Sequence, residues 1–261
     1  MPALINISLA KTIVFISAAL LLLASCSKVY VPALYHQDIV YQPKPASFDS
    51  VKTANYASAG LNVNTNNNGS DLLFSSQFNL SRGHVFNNFN LGYGVFGVLG
   101  DYQNSAIQKG EPNYFGDKFS AAAGGRISAD YYIKSGNADI RIVGVEAAYS
   151  HEFGSYAAFR KYVDTQPDYF ADTRTDLFSL GLTSEVIFHN RGNTIRHGIR
   201  GFIGTTFGYN ELDYTYYQAQ SAADNRYRNI FGKLSYFINV KNYFATIETG
   251  ENIFVRVGLK F

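Results

Sequence analysis

The chain has 261 residues, which fits one large all-β domain or two smaller domains. Charged residues make up only 16%, and aromatic residues, 20 Tyr and 21 Phe without Trp, make up another 16%. This composition is typical of a sheet that faces lipid on one side and a polar lumen on the other, and a net charge of +2 without a basic run argues against nucleic-acid binding.

The first element in chain order is an export segment, residues 1–25. Lys11 supplies a positive charge, and residues 12–23 form an apolar run of the length that signal peptides use. That run is too short for a transmembrane helix, which takes about 20 residues. Its end, the LASC of residues 23–26, resembles a bacterial lipobox. The resemblance implies cleavage before Cys26, acylation of that residue and, because Ser27 rather than Asp follows, sorting to the outer membrane. The alternative is an ordinary signal peptide cut near Ala24.

Residues 26–50 form the second predicted unit. They contain three of the six prolines and show no clear period, so we expect an extended periplasmic tether or a plug. Cys26 is the one cysteine of the chain, which excludes an internal disulfide and the usual cysteine-based zinc sites.

Residues 51–261 alternate between apolar and polar side chains almost throughout. Val143 and Val145, for example, share one face, while Gly144 and Glu146 share the other. A tilted transmembrane strand needs about 9–11 residues, and many of the alternating segments are at least that long. After a start near Val51, the clearest segments are residues 72–80, 89–95, 123–133, 143–149, 178–188, 195–207, 230–238 and 253–261.

The predicted connections between these segments alternate in length. Short links lie near residues 82–85, 135–137 and 190–193, and longer polar links lie at residues 65–70, 103–113, 154–173 and 211–225. Short periplasmic turns and long external loops are typical of barrels in the outer membrane. With a short strand near residues 242–247, we predict an all-β, closed, antiparallel, up-and-down transmembrane barrel of ten strands with both ends in the periplasm, eight strands being the alternative.

The chain ends in IFVRVGLKF, with apolar residues at every second position up to Phe261. This ending resembles the C-terminal strand signal of outer-membrane β-barrel proteins. The resemblance implies recognition by the barrel-assembly machinery, so that machinery and outer-membrane lipid are the expected partners. The chain departs from that family in its lipobox and in lacking Trp, so that Tyr and Phe would have to form any interfacial girdle.

Charged side chains fall on the polar face of the predicted strands. A lipid-facing Arg or Lys at mid-depth costs about 2–4 kcal/mol, so we expect these charges in the lumen, where each needs a partner. An ion-pair network that fills a small barrel is favoured, and a narrow polar pore or ligand cavity is the alternative. The predicted set comprises Arg126, Asp130, Glu146, Glu185, Arg196, Arg200, Lys233 and Arg256.

The sequence contains no metal-binding, nucleotide-binding or nucleophile motif of the usual spacing, so we expect no metal, no cofactor and no enzymatic activity. Ser150, His151 and Glu152 lie near an external strand end, but adjacent residues of a strand point to opposite faces. This favours a polar rim over a lipid-hydrolase site. The leading hypothesis is a non-enzymatic barrel with a structural or surface-contact role; the alternatives are a narrow channel or small-ligand carrier and a rim lipid hydrolase.

Overall fold

A computed structural model describes residues 28–66, 71–104, 116–166, 169–190, 192, 194–207 and 230–261. Within these residues ten antiparallel strands form a closed barrel, which confirms the predicted fold class; the eight-strand alternative is wrong. Two three-residue strands, β1 (Lys28–Tyr30) and β7 (Tyr169–Ala171), pair in parallel outside the barrel wall. The barrel strands are β2 (Thr53–Asn66), β3 (Asp71–Val85), β4 (Phe89–Asn104), β5 (Lys118–Ser135), β6 (Ala138–Phe153), β8 (Asp176–His189), β9 (Ile195–Phe207), β10 (Ile230–Val240), β11 (Tyr243–Thr249) and β12 (Ile253–Lys260).

The strands follow one another around the wall in chain order, and β12 closes the barrel by pairing with β2. All connections at one end of the barrel are short: residues 86–88, 136–137, 190–194 and 241–242. We call this the short-turn end and the opposite end the long-loop end. The first short link was predicted near residues 82–85, which is wrong, because β3 continues to Val85 before the chain turns. The weak segment predicted near residues 242–247 is β11.

The outer face of the wall is apolar from strand to strand. Side chains on this face are about half exposed in the isolated chain. Together they form a continuous apolar surface, which would be exceptionally large for a soluble protein. Examples from ten strands are Leu61, Phe78, Val95, Ile127, Val145, Leu182, Ile203, Leu234, Ile247 and Val257. Among the described residues, no helix has the length and apolar character needed to cross a bilayer.

The connection between β6 and β8 contains a helix that the sequence analysis treated as a loop. Helix α1 (Ser155–Val163) places Tyr156, Phe159 and Val163 on one buried face, at the helical spacing of three or four residues. Arg160, fully buried on the same helix, forms an ion pair with Glu152 at 3.1 Å. Helix α1 therefore covers the long-loop end of the barrel.

Residues 30–49 pass through the interior of the barrel, and we call them the plug. All of them are buried except Phe48, which is partly buried. Lys28 pairs with Tyr169 at the long-loop end, whereas the amide of Phe261 bonds to Asn55 at the short-turn end. The start of β2 and the end of β12 therefore lie on one side of the barrel, as predicted. Lys28 lies at the opposite end, because the plug passes through the lumen before β2 begins.

Candidate functional site in the lumen

The backbone carbonyls of the plug accept hydrogen bonds from cations of the barrel wall. Arg126 on β5 donates to the carbonyl oxygen of Asp38, and Lys233 on β10 donates to that of Ile39 at 2.7 Å. Arg256 on β12 donates to the carbonyl of Tyr41. Three predicted lumen cations therefore bind the chain's own backbone.

The backbone amides of the plug donate to carboxylates of the wall. The amide of Ala33 lies 2.8 Å from Glu152, and that of Tyr41 lies 2.9 Å from Glu248. Near the short-turn end, the amide of Ser47 donates to Asp139 at 2.6 Å. A buried backbone group without a partner is strongly unfavourable, and hydrogen bonds to charged groups are about twice as strong as neutral ones. The wall charges thus replace the sheet partners that the plug lacks.

Side chains of the plug add ion pairs along its length. The ammonium group of Lys44 lies 2.5 Å from Asp130 and 2.6 Å from the hydroxyl of Ser128. Asp49 accepts hydrogen bonds from Arg196 at 2.8 Å and from Lys260 at 3.1 Å, both at the short-turn end. These contacts tie the plug to β5, β9 and β12, on different sides of the wall.

Apolar side chains of the plug pack at successive levels of the lumen. Tyr30 joins the aromatic cluster under α1, Leu34 packs with Phe96 on β4, and Ile39 packs with residues of β9 and β10. Lower down, Tyr41 stacks on Phe237 with ring centroids 4.5 Å apart. A remaining cavity beside Tyr41 has a volume of about 10 Å³, which is room for roughly one water molecule.

All eight residues of the predicted charge set project into the lumen, where they are buried or partly buried. The structure brings Glu146 and Arg200 together, with the Nε atom of Arg200 3.1 Å from the carboxylate. Glu185 pairs at 2.5 Å with Arg141, which was not in the predicted set. The other predicted members, Asp130 included, bind the plug.

Arg141, Asp139 and Glu248 are lumen residues that the sequence analysis missed. A β-bulge in β6 explains the first two, because Ile142 and Val143 both face outward and reverse the alternation before them. Two consecutive apolar residues before the Gly-Val-Glu stretch were the available signal. Glu248 lies at the end of the short strand β11, whose alternation is too brief to define a face.

The three adjacent rim residues do not converge. Ser150 and Glu152 point into the lumen, and Glu152 binds the plug and Arg160. His151 points outward and lies 2.9 Å from Asp176, with both side chains more than half exposed. Among the described residues, no group of three His, Cys, Asp or Glu side chains is arranged to hold a metal ion.

A closed antiparallel barrel with an apolar outer wall and a charged, occupied lumen defines a transmembrane β-barrel. No protein-family model and no curated protein matches the chain. Among solved structures, it is similar to the transport unit of the autotransporter AIDA-I from Escherichia coli, at 8% identity and a TM-score of 0.41, over 87% of this chain and 94% of that one.

An outer membrane channel from Pseudomonas putida F1 is similar at 10% identity and a TM-score of 0.41, over 84% of this chain and 100% of that one. The translocator domain of the autotransporter NalP from Neisseria meningitidis is similar at 9% identity and a TM-score of 0.32, over 83% and 90% of the two chains.

Proposed function

We propose that the chain is an outer-membrane lipoprotein whose barrel has a structural or surface-contact role, without enzymatic activity and without an open pore. The observation that carries this proposal is the plug, which fills the lumen and satisfies the charges that would otherwise line a channel. Eight strands enclose an interior that side chains alone can fill, and ten strands enclose a wider one. In this protein a segment of the same chain occupies that space.

The proposal includes an orientation and an anchor. Short turns of outer-membrane barrels face the periplasm and long loops face outward, so the short-turn end would be periplasmic. Cys26, the proposed acylation site, lies outside the described residues. The exposed C-terminal Phe261 would be read by the barrel-assembly machinery before the barrel closes in outer-membrane lipid.

Planar-bilayer recordings test the proposed closed lumen. The purified full-length protein should give no discrete openings, because residues 30–49 occupy the lumen and are buried there, Phe48 partly. A matched variant lacking residues 27–49, which joins Cys26 to Ser50, should conduct if it still migrates faster unboiled than boiled, the mark of a folded barrel. Discrete openings by the intact protein would instead support the narrow-channel alternative.

Lipid analysis tests the proposed lack of enzymatic activity. Ser150 and Glu152 point into the lumen and cannot join His151 on the outer face, where its partner is the exposed Asp176. Cells that express the wild type should therefore have the same lipid A and phospholipid profiles as cells that express His151→Ala. Tyr162→Ala is the control at the same end of the barrel. A lipid change that depends on His151 would establish the rim-hydrolase alternative.

A further inference from the structure

The plug has one direction through the barrel, and its contacts follow in chain order. Tyr30 lies in the aromatic cluster under α1 at the long-loop end. The carbonyl of Ile39 binds Lys233, the fourth of the eleven residues of β10 counted from the long-loop end. Asp49 meets Arg196 and Lys260, at the short-turn ends of β9 and β12. The chain therefore enters the barrel at the long-loop end and leaves it at the short-turn end, where β2 begins.

The first described residue lies outside the barrel wall at the long-loop end. Lys28 pairs with Tyr169 in the connection between β6 and β8, and the carbonyl of Tyr30 accepts a hydrogen bond from the amide of Asp172 in the same connection. Strand β1 is thus held by the loop that carries α1 rather than by the periplasmic turns.

The distance that two residues can span decides on which side Cys26 lies. Cys26 precedes Lys28 by two residues, which reach at most about 7 Å. The apolar band of a barrel of this kind is about 25 Å tall, and the lumen that would have to be crossed is filled by the plug. Cys26 cannot return to the short-turn end by either route.

We infer that the acyl chains on Cys26 insert into the external leaflet of the outer membrane, so that the mature chain is anchored from the cell surface. The partner is a lipid surface, the acyl-chain region of that leaflet. This inference rests on the proposed acylation and orientation. It also requires the barrel to close around the plug, because a lipid-bearing N-terminus cannot pass through a wall whose ten strands are already paired.

Cysteine accessibility on intact cells tests this placement. The acylated sulfur of Cys26 does not react with maleimides, so an introduced cysteine is the single target in the chain. Ser27→Cys should react with a polyethylene-glycol maleimide too large to cross the outer membrane. Tyr162→Cys on α1 is the matched long-loop control, and Asn137→Cys in a short turn should react only after permeabilisation; both native side chains are exposed.

Metabolic labelling with an alkyne-bearing fatty acid, abolished by Cys26→Ala, is measured in the same cells. The inference is supported if acylated Ser27→Cys protein reacts with the maleimide on intact cells, as Tyr162→Cys does, and not only after permeabilisation, as Asn137→Cys does. Acylated protein that labels only after permeabilisation overturns it and leaves the proposed lipoprotein intact. Lack of acylation overturns both the anchor and the inference, while the heat-dependent gel shift still reports the barrel.

Discussion

The buried ion pair between Lys44 of the plug and Asp130 of β5 allows the plugged lumen to be tested energetically. Both side chains are at most 2% exposed, so Lys44→Met leaves a carboxylate buried without its nearest cation. Removing one partner of a buried pair costs about 3–5 kcal/mol. We expect the lower end, about 3 kcal/mol, because Asn90 and Arg141 remain close to Asp130.

The paired variant identifies the cause of that loss. Asp130→Asn alone should also destabilise, because it leaves Lys44 buried and charged. The loss of stability in the double variant should then be smaller than the sum of the two single losses by about 0.5–3 kcal/mol, the coupling typical of residues in contact. The free energy of unfolding is measured by urea titration of the folded barrel in lipid vesicles, followed by gel mobility and tyrosine fluorescence.

Lys52→Met is the matched control, because Lys52 is exposed and its ammonium bonds to the carbonyl of Ser47 at 2.7 Å. An exposed substitution of this kind should change stability by about 0.5 kcal/mol or less. Strict additivity of Lys44→Met and Asp130→Asn would refute the reasoning, because it would mean that the plug does not occupy the lumen in this register.

Three further predictions concern the wall, the lower end of the plug and the C-terminus. Gly198→Ala should reduce the fraction of folded barrel on gels, because the added Cβ would lie 2.4 Å from the ring of Phe237, whereas Gly201→Ala, with nothing within 4 Å, should behave as wild type. Asp49 accepts hydrogen bonds from Arg196 at 2.8 Å and from Lys260 at 3.1 Å. Asp49→Asn keeps the shape of the side chain but removes its charge, so it should lower the free energy of unfolding in urea titrations, and an unchanged value would mean that Asp49 does not hold the plug at this end. Phe261→Ala should lower the amount of barrel recovered in outer-membrane fractions, and an unchanged amount would argue against recognition of the last residue.

The strands could be predicted because the wall alternates between two contrasting environments. Most side chains along the middle of the outer face are apolar, so residues such as Val143 and Val145 identify their face without knowledge of neighbouring strands. Even β11, only seven residues long, was predicted near residues 242–247, between the alternating segments on either side of it. Alternation failed at the β6 bulge, because one extra residue reverses the faces on either side of it.

Helix α1 could not be found in the same way. Nine residues form a short helix, and Gly154 before it supplies no side-chain cap. Its buried face exists because Tyr30 of the plug and Tyr102 of β4 are there to pack against it. These partners are distant in sequence, so the residues between β6 and β8 read as a polar loop.

The plug sequence does not alternate between apolar and polar residues, because side chains of the wall surround it on all sides. Residues close together in the plug contact different strands: Ile39 binds β10, and Tyr41 binds β12. Sequence could predict that lumen charges need partners, but it could not show that three of the cations bind backbone carbonyls of residues 38–41.

The charges alone do not decide whether the plug stays in place, because water in an open lumen could solvate them. The apolar side chains of the plug decide it. Tyr30, Leu34, Ile39 and Tyr41 are each at most 3% exposed, and burial of one such side chain stabilises by about 1.5–3 kcal/mol. Opening the lumen would expose all four together with the wall aromatics that they cover, Phe96 and Phe237 among them. The polar contacts set the register of the plug, and the apolar contacts hold it there, which is why we expect the intact barrel to remain closed.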